Sequence, residues 1–298
     1  MITRKLGKSS LEISEVGFGC MSLGDNEAEN IFLLHKAMES GMNFFDTADL
    51  YQHGKNEETL GKAFKGKRGK VIIASKAGNQ WRADGSGWDW NPRKEYILSC
   101  AENSLKRLQT DHIDLFQLHG GTIEDNIDDT IDAFEILVKA GKIRYYGISS
   151  IRPNVIREYV KRSNIVSVMM QYSLLDRRPE EECLKLLHDH QVGVLARGPL
   201  ARGLLAGKPS SSYLNYNADE VNKVAVAVKS ISGKARTPAQ TAIHFALANP
   251  AITSVVTGIR TKEQLEEAVA APDMQLLTEQ ELETLSLVIP ANFYDSHR

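Results

Sequence analysis

The chain has 298 residues, 42% hydrophobic and 25% charged, an ordinary globular mixture with ample apolar mass for a core. Its formal net charge of −2 gives no electrostatic reason for a polyanionic partner. The densest basic cluster, Lys65-Gly66-Lys67-Arg68, has the size of a solvated turn, so no nucleic acid is expected. No apolar run approaches the roughly 18 residues needed to cross a bilayer, and Met1-Ile2-Thr3-Arg4-Lys5 leads into no apolar stretch. Cys20, Cys100 and Cys183 are widely scattered, with neither metal nor disulfide spacing. These features predict a cytoplasmic protein with no membrane insertion and no metal site, and nothing in them specifies an oligomeric state.

In chain order, Arg4–Leu6 and Leu11–Ile13 flank Gly7-Lys8-Ser9-Ser10 and read as a hairpin ahead of the first main strand. Eight short apolar runs follow: 15–18, 43–46, 70–75, 112–118, 143–148, 167–171, 193–196 and 254–256. Between them lie stretches with apolar residues at three- and four-residue spacings, including 27–40, 92–108, 127–140, 153–163 and 180–190. Ile127, Ile131, Phe134 and Leu137 show this period, which is that of an amphipathic helix. Pro153 stands at a first-turn position and Gly141 ends the preceding helix. Strands alternating with helices predict a parallel sheet, and eight such units close a (β/α)₈ barrel. No linker interrupts the pattern, so residues 1–298 read as a single α/β barrel domain. The longer interval 201–248 contains Ser210-Ser211-Ser212-Tyr213-Leu214-Asn215-Tyr216, read as an insertion loop. The tail from Thr278 to Pro290 reads as an extra C-terminal helix opened by a Thr278/Glu281 capping box.

Polar residues at the ends of three consecutive apolar runs carry the chemistry. Asp46 ends the second, Lys76 the third and His119 the fourth, and Tyr51 follows Asp46 by five residues. In a parallel barrel these strand ends share one rim, where active sites of this fold sit. A neighbouring ammonium favours phenolate, so Lys76 is expected to lower the Tyr51 pKa toward neutrality, with Asp46 holding Lys76 charged. Trp81, Trp88 and Trp90 border that rim and read as a wall of the substrate pocket. Gly17-x-Gly19-x-x-Ser22 lacks the third glycine of a dinucleotide fingerprint. Neither a phosphate-binding P-loop nor His-Glu-x-x-His occurs.

Over nearly its full length the chain resembles the aldo-keto reductases. The similarity runs through Gly17-Phe18-Gly19-Cys20-Met21, Asp46-Thr47-Ala48-Asp49-Leu50-Tyr51, Asn56-Glu57-Glu58-Thr59-Leu60-Gly61 and the segment from Asp111 to His119. It continues in Gln171-Tyr172-Ser173-Leu174-Leu175, in the segment from Pro199 to Lys208, and in the segment from Gly258 to Glu267. The resemblance implies reduction of a small carbonyl substrate by hydride transfer, with Tyr51 as general acid, Lys76 and Asp46 tuning it, and His119 orienting the substrate. It implies NADPH/NADP+ as cofactor, extended across the barrel mouth. Met21 would contact the cofactor, Ser149, Ser150 and Gln171 would bond its nicotinamide carboxamide, and Gly198, Pro199, Leu200, Gly203 and Lys208 would face the pyrophosphate. Gly258, Arg260, Thr261, Gln264 and Glu267 would face the adenosine phosphate. There a Thr261/Gln264 capping box beside Arg260 and Lys262 would make an anion site. The chain departs from the family at Arg197, where relatives commonly stack an aromatic ring on the nicotinamide, and at Ala268, where an adenine-contacting Asn is common. Two other readings are a nicotinamide-nucleotide-sensing regulatory subunit with little turnover, and a metal-dependent barrel hydrolase with Asp46 and His119 as ligands.

Overall fold

A computed structural model describes all 298 residues. The N-terminal hairpin pairs β1 (Thr3–Lys5) with β2 (Glu12–Ser14), Arg4 opposite Ile13, one residue away from the expected strand limits. Leu6, Leu11 and Ile13 are fully buried against Phe44, Leu115, Met169 and Leu195, so the hairpin plugs the barrel floor. Gly7 lets the turn seat there: at φ +52°, an added Cβ would stand 2.4 Å from the Val166 carbonyl oxygen.

Eight strands close the barrel, namely β3 (Val16–Gly19), β4 (Phe44–Asp46), β5 (Ile72–Ala77), β8 (Ile113–Leu118), β9 (Ile143–Ser149), β10 (Ser167–Gln171), β11 (Gly193–Arg197) and β12 (Ile252–Gly258). All neighbours are parallel. The outer layer is α1 (Glu27–Glu39), α2 (Lys55–Ala63), α3 (Lys94–Leu108), α4 (Ile127–Lys139), α5 (Pro153–Arg162), α6 (Cys183–Asp189), α7 (Ala218–Ser232), α8 (Pro238–Leu247) and α9 (Lys262–Ala270). The extra helix α10 (Glu279–Leu287) follows, opened by the expected Thr278/Glu281 capping box.

Strand periodicity positions the site. Successive side chains alternate between the barrel interior and the helical layer. Phe44, Ala74, Leu115, Met169 and Leu195 belong to the interior cluster. Two residues further along the same strands stand Asp46, Lys76, Gln117, Gln171 and Arg197, which places a polar layer above the apolar one. Phe45, Ile73 and Phe116 face outward into the larger core that the helices cover.

Three segments add detail to the sequence reading. The segment after β5 is a second hairpin, β6 (Asn79–Trp81) with β7 (Trp88–Trp90), closed by an Arg82–Asp89 ion pair. The helical stretch expected over 180–190 starts only at Cys183, as α6, after a 3₁₀ turn over Arg178–Glu181; Glu182, at φ −151° and ψ −35°, is non-helical and separates the two. The insertion read over 210–216 is a loop, carrying one isolated bridge between Tyr213 and Tyr216; those two tyrosines are buried, 6% and 5% exposed, and the Tyr216 hydroxyl donates to the Pro290 carbonyl.

Candidate functional site

Asp46 closes β4, and the chain then runs along β5 for two more rungs, Thr47 N–H to Ala74 O and Asp49 N–H to Lys76 O. The Asn56-Glu57 pair secures this loop. Asn56 accepts from the Thr47 hydroxyl and donates to the Cys20 carbonyl, while the fully buried Glu57 accepts from Ser75 and Arg107. Tyr51 then enters a tight turn in which Gln52 and His53 are both left-handed, at φ 50° and 54°. Such a conformation costs energy in non-glycine residues. Trp81 holds it, its indole N–H donating to Leu50 O at 3.3 Å while its ring stacks on His53 at 3.8 Å between centroids.

The structure brings the four candidate catalytic residues together. Lys76 Nζ donates to Asp46 Oδ2 at 2.7 Å, to Thr47 O at 2.7 Å, and to the Tyr51 hydroxyl at 3.4 Å. The His119 ring stands edge-on to Tyr51 at 5.9 Å, fixed by its backbone N–H on Ala77 O, and its Nδ1 is buried without a partner. Gln117, paired in register with Lys76 on the neighbouring strand, is a fully buried polar neighbour that sequence reading overlooked. Its two-residue spacing after Leu115 was the available signal.

Burial sets the electrostatics. It pulls the Lys76 pKa down, but Asp46 and Tyr51 pull it up further, so the ammonium stays charged. Burial also raises the Tyr51 pKa above its ordinary value despite opposition from Lys76. This corrects the expectation of a phenol acidified toward neutrality: desolvation exceeds the ammonium's pull, and Tyr51 holds its proton throughout the working range. Burial, then Lys76 and Arg197, push His119 down to about 3, leaving a neutral imidazole.

Above these groups opens a cavity of about 1520 Å³, larger than a single small-molecule pocket commonly is. It is lined by Asp46, Tyr51, His119 and every expected cofactor residue except Thr261; Lys76 lies beneath its floor, fully buried. Of the three tryptophans, Trp88 and Trp90 line it, whereas Trp81 serves the Tyr51 turn. Trp90 seats against Gly78, where an added Cβ would meet the indole at 2.7 Å, and donates to Asp125. Unforeseen lining comes from Tyr213, Tyr294 and the terminal Asp295-Ser296-His297. The last is anchored by Asn154 N–H on the His297 carbonyl.

At the far end, Thr261 caps α9 by accepting from Gln264 N–H. The Gln264 side chain accepts from Arg260 N–H rather than from Thr261, so the expected capping box is displaced by one residue. Thr261 itself does not line the cavity. Arg260, Arg202 and Lys208 are exposed cations in the cavity wall. A helix N-terminus with nearby cations binds anions, so these residues fit the phosphate end of a dinucleotide.

Residues 15–289 match the Aldo/keto reductase family. The chain is 50% identical, over the whole of both proteins, to an uncharacterised oxidoreductase of Bacillus subtilis, YqkF. It is 34% identical to the aldo-keto reductase yakc [NADP(+)] of Schizosaccharomyces pombe, over 69% of this chain and 63% of that one. Among solved structures it superposes on the holo form of aldo-keto reductase AKR11C1 from Bacillus halodurans with a TM-score of 0.95 at 48% identity, covering 100% and 99% of the two chains. The chain therefore belongs to the aldo/keto reductase family.

Proposed function

We propose that residues 1–298 act as one cytoplasmic barrel domain that reduces small aldehydes or ketones to alcohols at the expense of NADPH. The observation that carries this reading is the linked row Asp46–Lys76–Tyr51 at the floor of a cavity whose wall also carries the exposed cations Arg202, Lys208 and Arg260. Ser149, Ser150, Gln171 and Arg197 would face the nicotinamide, and Gly198 to Lys208 the pyrophosphate. Arg260 and the start of α9 would take the 2′-phosphate. That last contact favours NADPH over NADH, in keeping with the NADP(+) in the name of the yeast relative.

Bound there, the cofactor supplies the hydride that reduces the carbonyl carbon. The chain's own residues manage the oxygen. Tyr51, a phenol that burial moves further from ionisation, donates its proton to the carbonyl oxygen. The Lys76 ammonium, 3.4 Å from the phenol oxygen, stabilises the negative charge left there. Asp46 keeps that ammonium charged and aimed. His119, neutral, orients the carbonyl by hydrogen bonding, with no proton to exchange at working pH. The Asp46 carboxylate is committed to Lys76 at 2.7 Å, which argues against the hydrolase reading in which it would ligate a metal.

Tyr51→Phe tests the proposal. Loss of NADPH-dependent reduction across a panel of aldehydes, quinones and dicarbonyls, by roughly 10²-fold or more, with NADPH binding retained, is the expected result. A variant that reduces as well as the native protein would remove Tyr51 from the mechanism. Uniform inactivity of the native protein, with NADPH bound, would favour the nucleotide-sensing role.

A further inference from the structure

Arg197 ends β11 and lines the cavity. Among the other cavity-wall arginines, Arg178 pairs with Asp176, Arg152 donates to the Gly121 carbonyl and Arg260 donates to the Ser22 carbonyl. The Arg197 guanidinium has no ion pair and no hydrogen bond, though it is largely removed from water, and the groups that feel its charge are Tyr51, Asp176, Tyr213, Asp46 and His119. Guanidinium keeps its proton in proteins. With Asp176 neutralised by its pair Arg178, the floor carries one remaining carboxylate, Asp46, against two cations, Lys76 and Arg197, a local surplus of one positive charge beside neutral His119 and Tyr51. Such a surplus acts strongly where water is excluded.

On the reading of the function given above, the carbonyl oxygen sits at Tyr51 and the carbon that gives up hydride lies next to the carbonyl carbon. The nicotinamide thus lies within the field of Arg197. Its reduced ring is neutral; after hydride leaves with its electron pair, the ring carries one positive charge. We infer that Arg197 makes this site discriminate between the two oxidation states of its cofactor, holding NADPH more tightly than NADP+ and so favouring release of the spent cofactor. An aromatic residue in its place would carry no such charge.

The test is equilibrium binding of NADPH and NADP+ to the native protein, Arg197→Met and Arg197→Lys, with adenosine 2′,5′-bisphosphate as a probe lacking the nicotinamide. The native protein should bind NADPH the tighter. Arg197→Met should narrow the ratio of the two dissociation constants about tenfold, chiefly by tightening NADP+, while Arg197→Lys keeps most of it and the bisphosphate binds all three proteins alike. Native binding of NADP+ as tight as NADPH would overturn the inference without any variant. So would an unchanged ratio in Arg197→Met, and if affinity for carboxylate-bearing aldehydes fell at the same time, the guanidinium would belong to the substrate. Failure of the native protein to bind either nucleotide would instead overturn the functional reading on which the inference rests.

Discussion

Lys76 and Asp46 form an ion pair at 2.7 Å with side chains only 1% and 6% exposed. The desolvation cost of such a pair is met only while both partners are present. Lys76→Met leaves a buried carboxylate uncompensated and should destabilise the protein by about 3–5 kcal/mol, read as a fall in the denaturant midpoint. Asp46→Asn combined with Lys76→Met should recover at least half of that loss while remaining inactive. Equal destabilisation of single and double variants would show that lost packing, not an orphaned charge, sets the cost.

His119 offers a kinetic signature. With its pKa pushed down to about 3 by burial, Lys76 and Arg197, it takes up no proton near the usual histidine value. Plotted against pH, kcat/KM for reduction should show no inflection between about pH 5.5 and 7.5 that His119→Gln abolishes. An inflection near pH 6.5 that disappears in that variant would mean the imidazole titrates in the working range.

Most of this architecture is legible in the sequence because the interior of a barrel obeys a two-residue period. Asp46, Lys76 and His119 announce themselves as polar residues ending apolar runs, and Tyr51 follows within one loop. Gln117 escapes because it sits inside its run, where only the spacing from Leu115 marks it as inward-facing. Tyr213 and Tyr216 escape because three serines precede them; the partners that receive them, Gln171 for Tyr213 and the Pro290 carbonyl for Tyr216, lie far along the chain. The β6–β7 hairpin is built of strands only three residues long, Asn79–Trp81 and Trp88–Trp90, too short for a two-residue period to stand out from a loop. The sign of the Tyr51 shift was missed for a different reason: proximity of an ammonium can be guessed from order along the chain, whereas the degree of burial that outweighs it cannot.

Asp49, two residues before Tyr51, predicts a pH effect on stability. Burial first, then the Glu57 charge, raises its pKa from 3.8 to about 7, and its Oδ1 has no partner. Between about pH 4 and 7 the folded state therefore holds a proton that the unfolded state has released, so this group makes stability fall as pH rises through that window. Asp49→Asn, permanently neutral, should be indistinguishable from the native protein near pH 4 and more stable by roughly 2 kcal/mol at pH 8. Unfolding curves at the two pH values decide it. A stability difference that is the same at both would mean that Asp49 titrates normally in the folded protein.

Arg260 tests the phosphate end separately from the chemistry. Its backbone N–H is held by Gln264 and its Nε by the Ser22 carbonyl at 3.1 Å, which fixes the side chain beside the N-terminus of α9 and leaves the terminal guanidinium nitrogens for an anion. A charge-assisted contact of this kind is worth about 1.5–3 kcal/mol. Arg260→Ala should accordingly weaken NADPH binding by roughly tenfold or more while leaving NADH, which lacks the 2′-phosphate, within about twofold of native. The turnover number at saturating NADPH should be unchanged, because Arg260 bonds only to Gln264 and Ser22 and touches none of Asp46, Tyr51, Lys76 or His119. Equal losses for both nucleotides would mean that Arg260 supports the shape of the loop, held through Ser22, and does not read the phosphate.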